Sequence, residues 1–400
     1  MMNENASSNN PRVKIVAVAK DEAAYLPDWI HHHLYLGFDF IDVYVNRTTD
    51  NSLQMLNFIN KTYPQVRGIS ADWIDTCPQE AQSNLQYIVY AKAFEEAKVN
   101  DEADYILFLD IDEFWTPKSL RKSIQECIAE NPHADTISFE WINEFGRDDA
   151  FLPLAQQIQG RINPLVKTLI KITAPVLKHR FHMPELDSGN SVLVDGQPFV
   201  RDAQLREGLH RDLQHLRPVM IIHRAFRSPM EYISLLNRGR PSDELQIKLN
   251  RGGYNECAGR EVLFELNKDG YDKYIESHSQ FVQSMSFDEM LVKAREFVQS
   301  RYQRTLEYLP NVPRKYFLDL FRVFRGCTDK EYRQLTTAMM NSTRLKRCQD
   351  PDELVELAKG AEKIDVHVAH VIWKQALIYR SKGPQIKDKI KKYIEKYGES

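Results

Sequence analysis

The chain has no CxxC pair, no apolar run near the roughly 20 residues that a membrane-crossing helix needs, and no basic surplus. Its five cysteines, Cys77, Cys127, Cys257, Cys327 and Cys348, are odd in number and widely spaced. That argues against a zinc knuckle or a disulfide framework and for reduced thiols in a cytoplasmic protein. A net charge of −3 gives no electrostatic footprint for nucleic acid. Residues 1–12 are polar and lack a basic stretch followed by an apolar one, so they are expected to be a disordered N-terminus, not a signal peptide. Any membrane attachment would be peripheral. What remains is an ordinary soluble composition, 42% hydrophobic and 27% charged, over 400 residues. This length suits one large α/β domain with an extension, or two domains.

The most informative stretch is Tyr105-Ile-Leu-Phe-Leu-Asp110-Ile-Asp112-Glu113-Phe-Trp115. Five apolar residues read as a strand buried on both faces, and they end in two carboxylates at i and i+2. Such residues point to one side of a strand. Asp110 and Asp112 are therefore expected to present their carboxylates together. No fold requires that charge there, but a divalent cation and the phosphate it holds do.

The surrounding order is β-α-β-α. Lys14–Val18, Ile41–Val45, Val66–Trp73, Tyr105–Leu109 and Thr136–Trp141 read as strands. Helices are expected after Asp21 with Pro27 in the first turn and Gly37 at the end, over about 51–60 after Thr48-Thr49-Asp50, over about 79–98, and after Pro117. This predicts an α/β domain with a mostly parallel sheet and helices on both faces. Ligands then bind beyond the carboxyl ends of the strands, where Lys20, Asp21, Asn46, Arg47, Asp110 and Asp112 would gather. Residues 142–218 read as irregular. Val219–His223 is another apolar strand, and Ser228-Pro-Met-Glu231 is a capping box. The expected organisation is 13–245 as the α/β domain, 246–283 as an irregular linker, and 284–400 as a helical C-terminal region.

Asp112 is the expected direct metal ligand, with Asp110 supporting it or touching a ribose, and Glu113 orienting water or a neighbour. His223, ending its own strand, is the expected third ligand for Mn²⁺ or Mg²⁺. Arg238 and Arg240 suit diphosphate oxygens, although a solvated basic helix end reads equally from the sequence. Consecutive His31, His32 and His33 point in different directions on a helix, so packing is favoured over a metal site. His179 and His182 sit in a Pro- and Gly-containing segment with no decided role. Trp141 and Phe145 could stack on a sugar or base, or simply fill the core. The basic amphipathic stretch Ile386–Ile394 could lie on an anionic membrane, but packing of its apolar stripe is favoured.

Together these pieces resemble a GT-A glycosyltransferase of the family-2-like branch related to glycosyltransferase family 92. The resemblance rests on Lys20-Asp21-Glu22, Leu26, Trp29-Ile30, His32 or His33 and Leu36-Gly37; on Asn46 with Thr48-Thr49-Asp50; and on Asp110-Ile-Asp112-Glu113-Phe114. Trp141 with Phe145-Gly146, and His223 with Ser228, Glu231-Tyr232 and Arg238-Gly239, complete it over about residues 13–240. Val45, Arg224 and Leu235 depart from the pattern, standing where Asp, an aromatic and Lys are usual. The resemblance implies a GT-A, Rossmann-like fold and a hexosyltransferase-type enzyme. Such an enzyme moves a sugar from a nucleotide-sugar donor to a glycan, lipid-linked or protein acceptor, with Mn²⁺ or Mg²⁺ and inversion, in glycan or cell-surface polysaccharide synthesis. Lys20, Asp21, Asn46, Asp110 and Arg238 would face the donor. Asp110, Asp112 and His223 would hold the metal, and Glu144 is the first choice of base over Glu140, Asp148 and Asp149. A cytoplasmic location, or one peripheral to the inner membrane, goes with this reading.

Two other readings compete. A haloacid-dehalogenase-type phosphatase places its DxD on the first strand, whereas here three βα units come first. A non-catalytic nucleotide- or carbohydrate-binding protein on the same fold is the alternative from another class.

Overall fold

Alternating apolar residues build the sheet from its first strand. In β1 (Val13–Ala19) the side chains of Val13, Ile15 and Ala17 enter one buried cluster and Val16 enters another. A strand lined on both faces in this way belongs inside an α/β layer structure. The computed structural model describes residues 10–238, 245–327, 330–331, 334 and 348–398. Most of the expected disordered N-terminus, and Gly239 and Arg240, lie outside the described residues. Arg12 is fixed by ion pairs to Asp101 and Asp104.

The chain divides into two compact units. The first comprises Met1–Phe145, Phe151–Ala225 and Ala258–Phe297; the second comprises Gly146–Ala150, Phe226–Cys257 and Val298–Ser400. The first holds a ten-stranded sheet in the order β3-β2-β1-β4-β7-β6-β11-β5, with β10 added to β6 and β12 to β7. Its remaining strands are β2 (Phe40–Val45), β3 (Val66–Ser70), β4 (Tyr105–Phe108), β5 (Glu113–Pro117), β6 (Thr136–Glu144), β7 (Gln157–Lys171), β10 (Ser191–Leu193), β11 (Val219–His223) and β12 (Arg260–Glu265). The short strands β8 (Val176–Lys178) and β9 (Glu185–Leu186) form a separate hairpin. Pairings among β3, β2, β1 and β4, and of β6 with β10 and β11, are parallel. Those of β7 with β4, β6 and β12, and of β5 with β11, are antiparallel. The sheet is thus α/β and mostly parallel, as expected.

Helices α1 (Leu26–Tyr35), α2 (Ser52–Thr62), α5 (Ile124–Ala129) and α7 (Lys268–Met285) supply Trp29, Leu56, Cys127 and Tyr274 to one cluster. Beyond α3 (Gln79–Ser83), α4 (Leu85–Val99) supplies Ala93 and Phe94 to the cluster containing Val16.

Several local expectations change. The acidic pair does not continue the strand: β4 stops at Phe108, and Glu113 N–H donates to the Asp110 carbonyl at 3.0 Å, closing a turn. No side chain caps α1, whose N-cap is Tyr25, because the Asp21 carboxylate is used between loops. Val66–Trp73 is strand only to Ser70, after which Asp72–Thr76 forms a 3₁₀ turn. The helix expected after Pro117 begins only at Ile124, behind a Ser123–Glu126 capping box. The irregular segment 142–218 contains the longest strand, β7. Its Pro164 is tolerated because the β6–β7 register shifts between Glu140 and Trp141, a bulge that spares a ladder donor. Residues 246–283 contain β12 and most of α7.

The second unit is helical among its described residues, with α6 (Pro229–Leu236), the C-terminal part of α8 (Asp288–Tyr308), α9 (Phe317–Phe324), α10 (Pro351–Glu362), α11 (Val366–Tyr379) and α12 (Pro384–Tyr397). The capping box at Ser228 and Glu231 forms as expected. Tyr232, Phe321, Leu354, Trp373 and Ile386 share one core, so the apolar stripe of α12 packs on the protein. Among the described residues no helix is long and apolar enough to cross a membrane.

Candidate active site

Parallel strands β1 to β4 deliver their carboxyl ends to one sheet edge, where such folds bind ligands. After β1, Asp21 adopts a positive φ of 53° and its Oδ1 accepts from Thr49 N–H at 2.7 Å. Asp50 likewise accepts from Ala23 N–H and Ser52 N–H at 2.9 Å. These two carboxylates lace the loop after β1 to the loop after β2. Asp21 is accordingly a structural group of that edge.

Asn46, after β2, donates through Nδ2 to Asp72 at 3.2 Å. Arg47 donates to Asp72 through its backbone and to Asp75 through Nε, both at 2.8 Å. The Arg47 hydrogen bond, helped by the charge of Lys20, holds the Asp75 carboxyl below its ordinary range. Lys20, Asn46 and Arg47 therefore share the edge with two acids that the sequence analysis missed. A lone Asp after a strand carries no distinguishing pattern.

The acidic turn lies after β4. Asp110 is 42% exposed, with Oδ1 accepting from Gln86 at 3.0 Å and Oδ2 3.8 Å from Lys167 Nζ. Glu113 is fully buried; its Oε2 accepts from Asp110 N–H and lies 2.8 Å from Lys167 Nζ. Lys167 Nζ meets that oxygen as an ion pair, not along a hydrogen-bond direction. Burial raises Glu113, while the neighbouring Lys167 ammonium pulls it back toward the ionised form. Burial would lower Lys167, but Glu113 and Asp110 together outweigh it and the ammonium stays protonated.

Register explains how His223 arrives. Strand β11 runs antiparallel to β5 and parallel to β6, which puts His223 opposite both Glu113 and Asn143. His223 Nδ1 meets Asn143 Oδ1 at 2.8 Å, and the ring stacks on Trp141 at 4.3 Å and 17°. With Asn143 oxygen as acceptor, Nδ1 carries the proton and Nε2 keeps its lone pair. That nitrogen lies 3.4 Å from Asp112 Oδ2. Two acceptors facing each other need a cation or a proton between them. One imidazole and one carboxylate suit Mn²⁺ or Mg²⁺ when a substrate diphosphate supplies the other ligands. Among the described residues no group of three or more His, Cys, Asp or Glu side chains is placed to hold a metal. Asp112 and His223 are brought together, whereas Asp110 is held by Gln86 and Lys167.

The remaining candidates separate. Glu144 Oε2 accepts from Arg224 Nε at 3.0 Å in a buried pair. Glu140 is buried against Arg217, and burial pushes it up to about 7. Asp148 and Asp149 are exposed in the second unit. Arg238 follows α6 in the second unit. Phe145 lies under the Arg161 guanidinium at 5.6 Å. His179 is half-buried beside Phe94 and Phe108, while His182 donates to the Val166 carbonyl and flanks Trp141 at 5.0 Å. His31, His32 and His33 are all buried and structural. Of these, His32 Nε2 meets the Trp115 carbonyl at 2.8 Å.

Residues 13–160 match the model of glycosyltransferase family 92. Over this segment the chain is similar to that glycosyltransferase family. The matched segment contains the whole acidic turn, Asn143 and Glu144, and it ends before Lys167 and His223. Solved structures similar to the chain include an active-site mutant of LgtC, at 14% identity and a TM-score of 0.27, covering 54% of this chain and 89% of that one. Another is the galactosyltransferase LgtC in complex with donor and acceptor sugar analogues, at 18% identity and 0.21, covering 40% and 58%. These are similarities only, and the family match is confined to residues 13–160. No curated protein matches the chain significantly.

Proposed function

We propose that the chain is a metal-dependent, hexosyltransferase-type GT-A enzyme. It moves a sugar from a nucleotide-sugar donor to an acceptor hydroxyl of a glycan, lipid-linked or protein acceptor, in glycan or cell-surface polysaccharide synthesis. The observation that carries this reading is the facing pair Asp112 Oδ2 and His223 Nε2, 3.4 Å apart at the carboxyl edge of the family 92-related sheet. Bound between them, Mn²⁺ or Mg²⁺ would neutralise charge growing on the leaving nucleoside diphosphate. Asn143 fixes the imidazole tautomer, and Trp141 fixes its plane. Asp110 keeps an exposed carboxylate edge for the donor. Lys20, Asn46 and Arg47 line the nucleotide end. Single displacement with inversion follows the family-2-like resemblance and requires a carboxylate opposite the leaving group. Glu144 remains the first-choice base only if its bond to Arg224 opens when acceptor binds; in the closed geometry it anchors Arg224.

One observation favours the alternative, a non-catalytic nucleotide- or carbohydrate-binding protein: no third protein ligand joins the pair among the described residues. A panel of UDP- and GDP-sugars, incubated with Mn²⁺ or with EDTA, separates the two readings. Metal-dependent release of one nucleoside diphosphate is expected, lost in Asp112→Asn with the fold intact. Full turnover in that variant would remove the metal role, and binding without turnover across a set of acceptors would favour the binding protein.

A further inference from the structure

The acidic turn is held from beneath by a buried lysine outside the family-matched segment. Strand β7 pairs with β4 only as far as Leu107 opposite Leu169, so Lys167 stands where that ladder gives out and the turn begins. Its side chain is 1% exposed and too deep to meet a substrate. Its ammonium is 2.8 Å from Glu113 Oε2, and that same oxygen accepts from Asp110 N–H at 2.8 Å. Glu113 in turn closes the backbone turn onto the Asp110 carbonyl, and its own carbonyl accepts from Trp29 Nε1 at 2.8 Å. Asp112 lies inside this closed turn, whose backbone Glu113 holds. A solvated acidic loop would need no such support, and a merely structural strand would place an apolar residue at position 167.

The geometry points to Lys167 as a positioning residue for the cation site: through Glu113 it locks the 110–113 turn and aims Asp112 at His223. The inference rests on the metal reading given above. Gln86 supports the same arrangement from α4, holding Asp110 Oδ1 at 3.0 Å while also donating to Tyr90 Oη at 2.7 Å. Tyr90 is itself stacked on Phe108 of β4 at 4.1 Å.

The test is a Mn²⁺ titration of the full chain with UDP or GDP present and no sugar, read by electron paramagnetic resonance against nucleotide-only controls, alongside thermal unfolding. Lys167→Met alone strands a buried acid and is expected to destabilise. Lys167→Met/Glu113→Gln removes one charge of each sign, so net charge at the site is unchanged and long-range attraction for Mn²⁺ stays the same. The double variant is expected to keep its Tm within about 3 °C, while its Mn²⁺ dissociation constant rises about tenfold or more. Gln86→Met, a change at a partly exposed position, is expected to move the constant in the same direction with no loss of fold. A folded double variant, or Gln86→Met should the double variant not fold, that binds Mn²⁺ as the wild type does would overturn the positioning role alone. A wild-type chain that binds no Mn²⁺ with either nucleotide present would overturn both this role and the metal reading.

Discussion

Arg224 joins the two sides of the candidate site: its backbone N–H donates to the Asp112 carbonyl at 2.7 Å while its Nε donates to Glu144 at 3.0 Å. Its Nη2 also reaches the Leu152 carbonyl at 2.8 Å, and its guanidinium lies over Phe114 at 5.6 Å. An aromatic is usual at this position in the resembled branch; here Arg224 forms a buried ion pair with Glu144, and its backbone N–H holds the Asp112 main chain. Glu144→Gln keeps an acceptor for Arg224. If Glu144 is an anchor, steady-state transfer in that variant stays within about tenfold of wild type, because the geometry survives. A base lost at this position would cost roughly 10²–10⁴-fold. Glu144→Ala should instead destabilise the protein by about 3–5 kcal/mol, since it leaves Arg224 buried and unpaired. Chemical denaturation of the two variants, set beside their rates, separates the roles.

Asn143 gives a sharper test of the imidazole. Its Oδ1 holds His223 Nδ1 at 2.8 Å, fixing which nitrogen faces Asp112. Replacing it by Leu removes the tautomer lock without removing either proposed ligand. Partners of this kind are worth about 10–100-fold in metal affinity. Asn143→Leu should therefore raise the Mn²⁺ requirement for turnover by that amount, and Asn143→Asp, which still accepts from Nδ1, should largely restore it. Equal activation curves for the three proteins would mean that His223 does not bind the metal.

The strand ends were legible because they are chemically abrupt. Val219–His223 reads in the sequence with the same bounds that it has in the sheet, since five residues run from apolar to imidazole without a break. Strand β7 was hidden for the opposite reason. Gly160, Asn163 and Pro164 look like loop punctuation, and only the bulge opposite Glu140 and Trp141 makes them compatible with a strand. With β7 went Lys167, whose charge within Leu165–Ile170 was the available signal: a lysine in an apolar run is either exposed on a strand face or buried against an acid. Position i and i+2 of a strand was the wrong local geometry for Asp110 and Asp112, because a buried glutamate three residues on closes a turn that periodicity does not encode. The pairing of β5 between the turn and β11 is a long-range event, and no local pattern in Glu113–Pro117 announces it.

At the nucleotide end, Asp75 holds the Arg47 guanidinium at 2.8 Å from a half-exposed position. If this edge takes the donor nucleotide, Asp75→Asn loosens Arg47 without touching Asp112 or His223. The expected kinetic signature is a severalfold rise in the donor KM with kcat nearly unchanged, the pattern of lost ground-state binding. A fall in kcat with constant KM would place the donor elsewhere.

The buried histidines predict how the fold responds to acid. His33 donates from Nδ1 to the Trp29 carbonyl at 2.8 Å and accepts the Trp115 N–H on Nε2 at 3.3 Å. A second ring proton would collide with that N–H in an unhydrated site. Burial accordingly lowers His33 to about 3, and burial also takes His31 and His182 to about 3. In the unfolded chain these rings titrate near 6.5. Below that pH the unfolded state binds protons that the folded state refuses, so stability is complete above about 6.5 and declines as pH falls toward 3. Each ring contributes a slope of roughly 1.4 kcal/mol per pH unit across that window. Urea midpoints measured between pH 7.5 and 5 should fall accordingly. His33→Gln can keep a donor and an acceptor in place of the ring. It should cost about 1–3 kcal/mol at pH 7.5 and yet flatten the pH slope by about one proton, whereas an unchanged slope would show that His33 is not refusing its proton in the folded state.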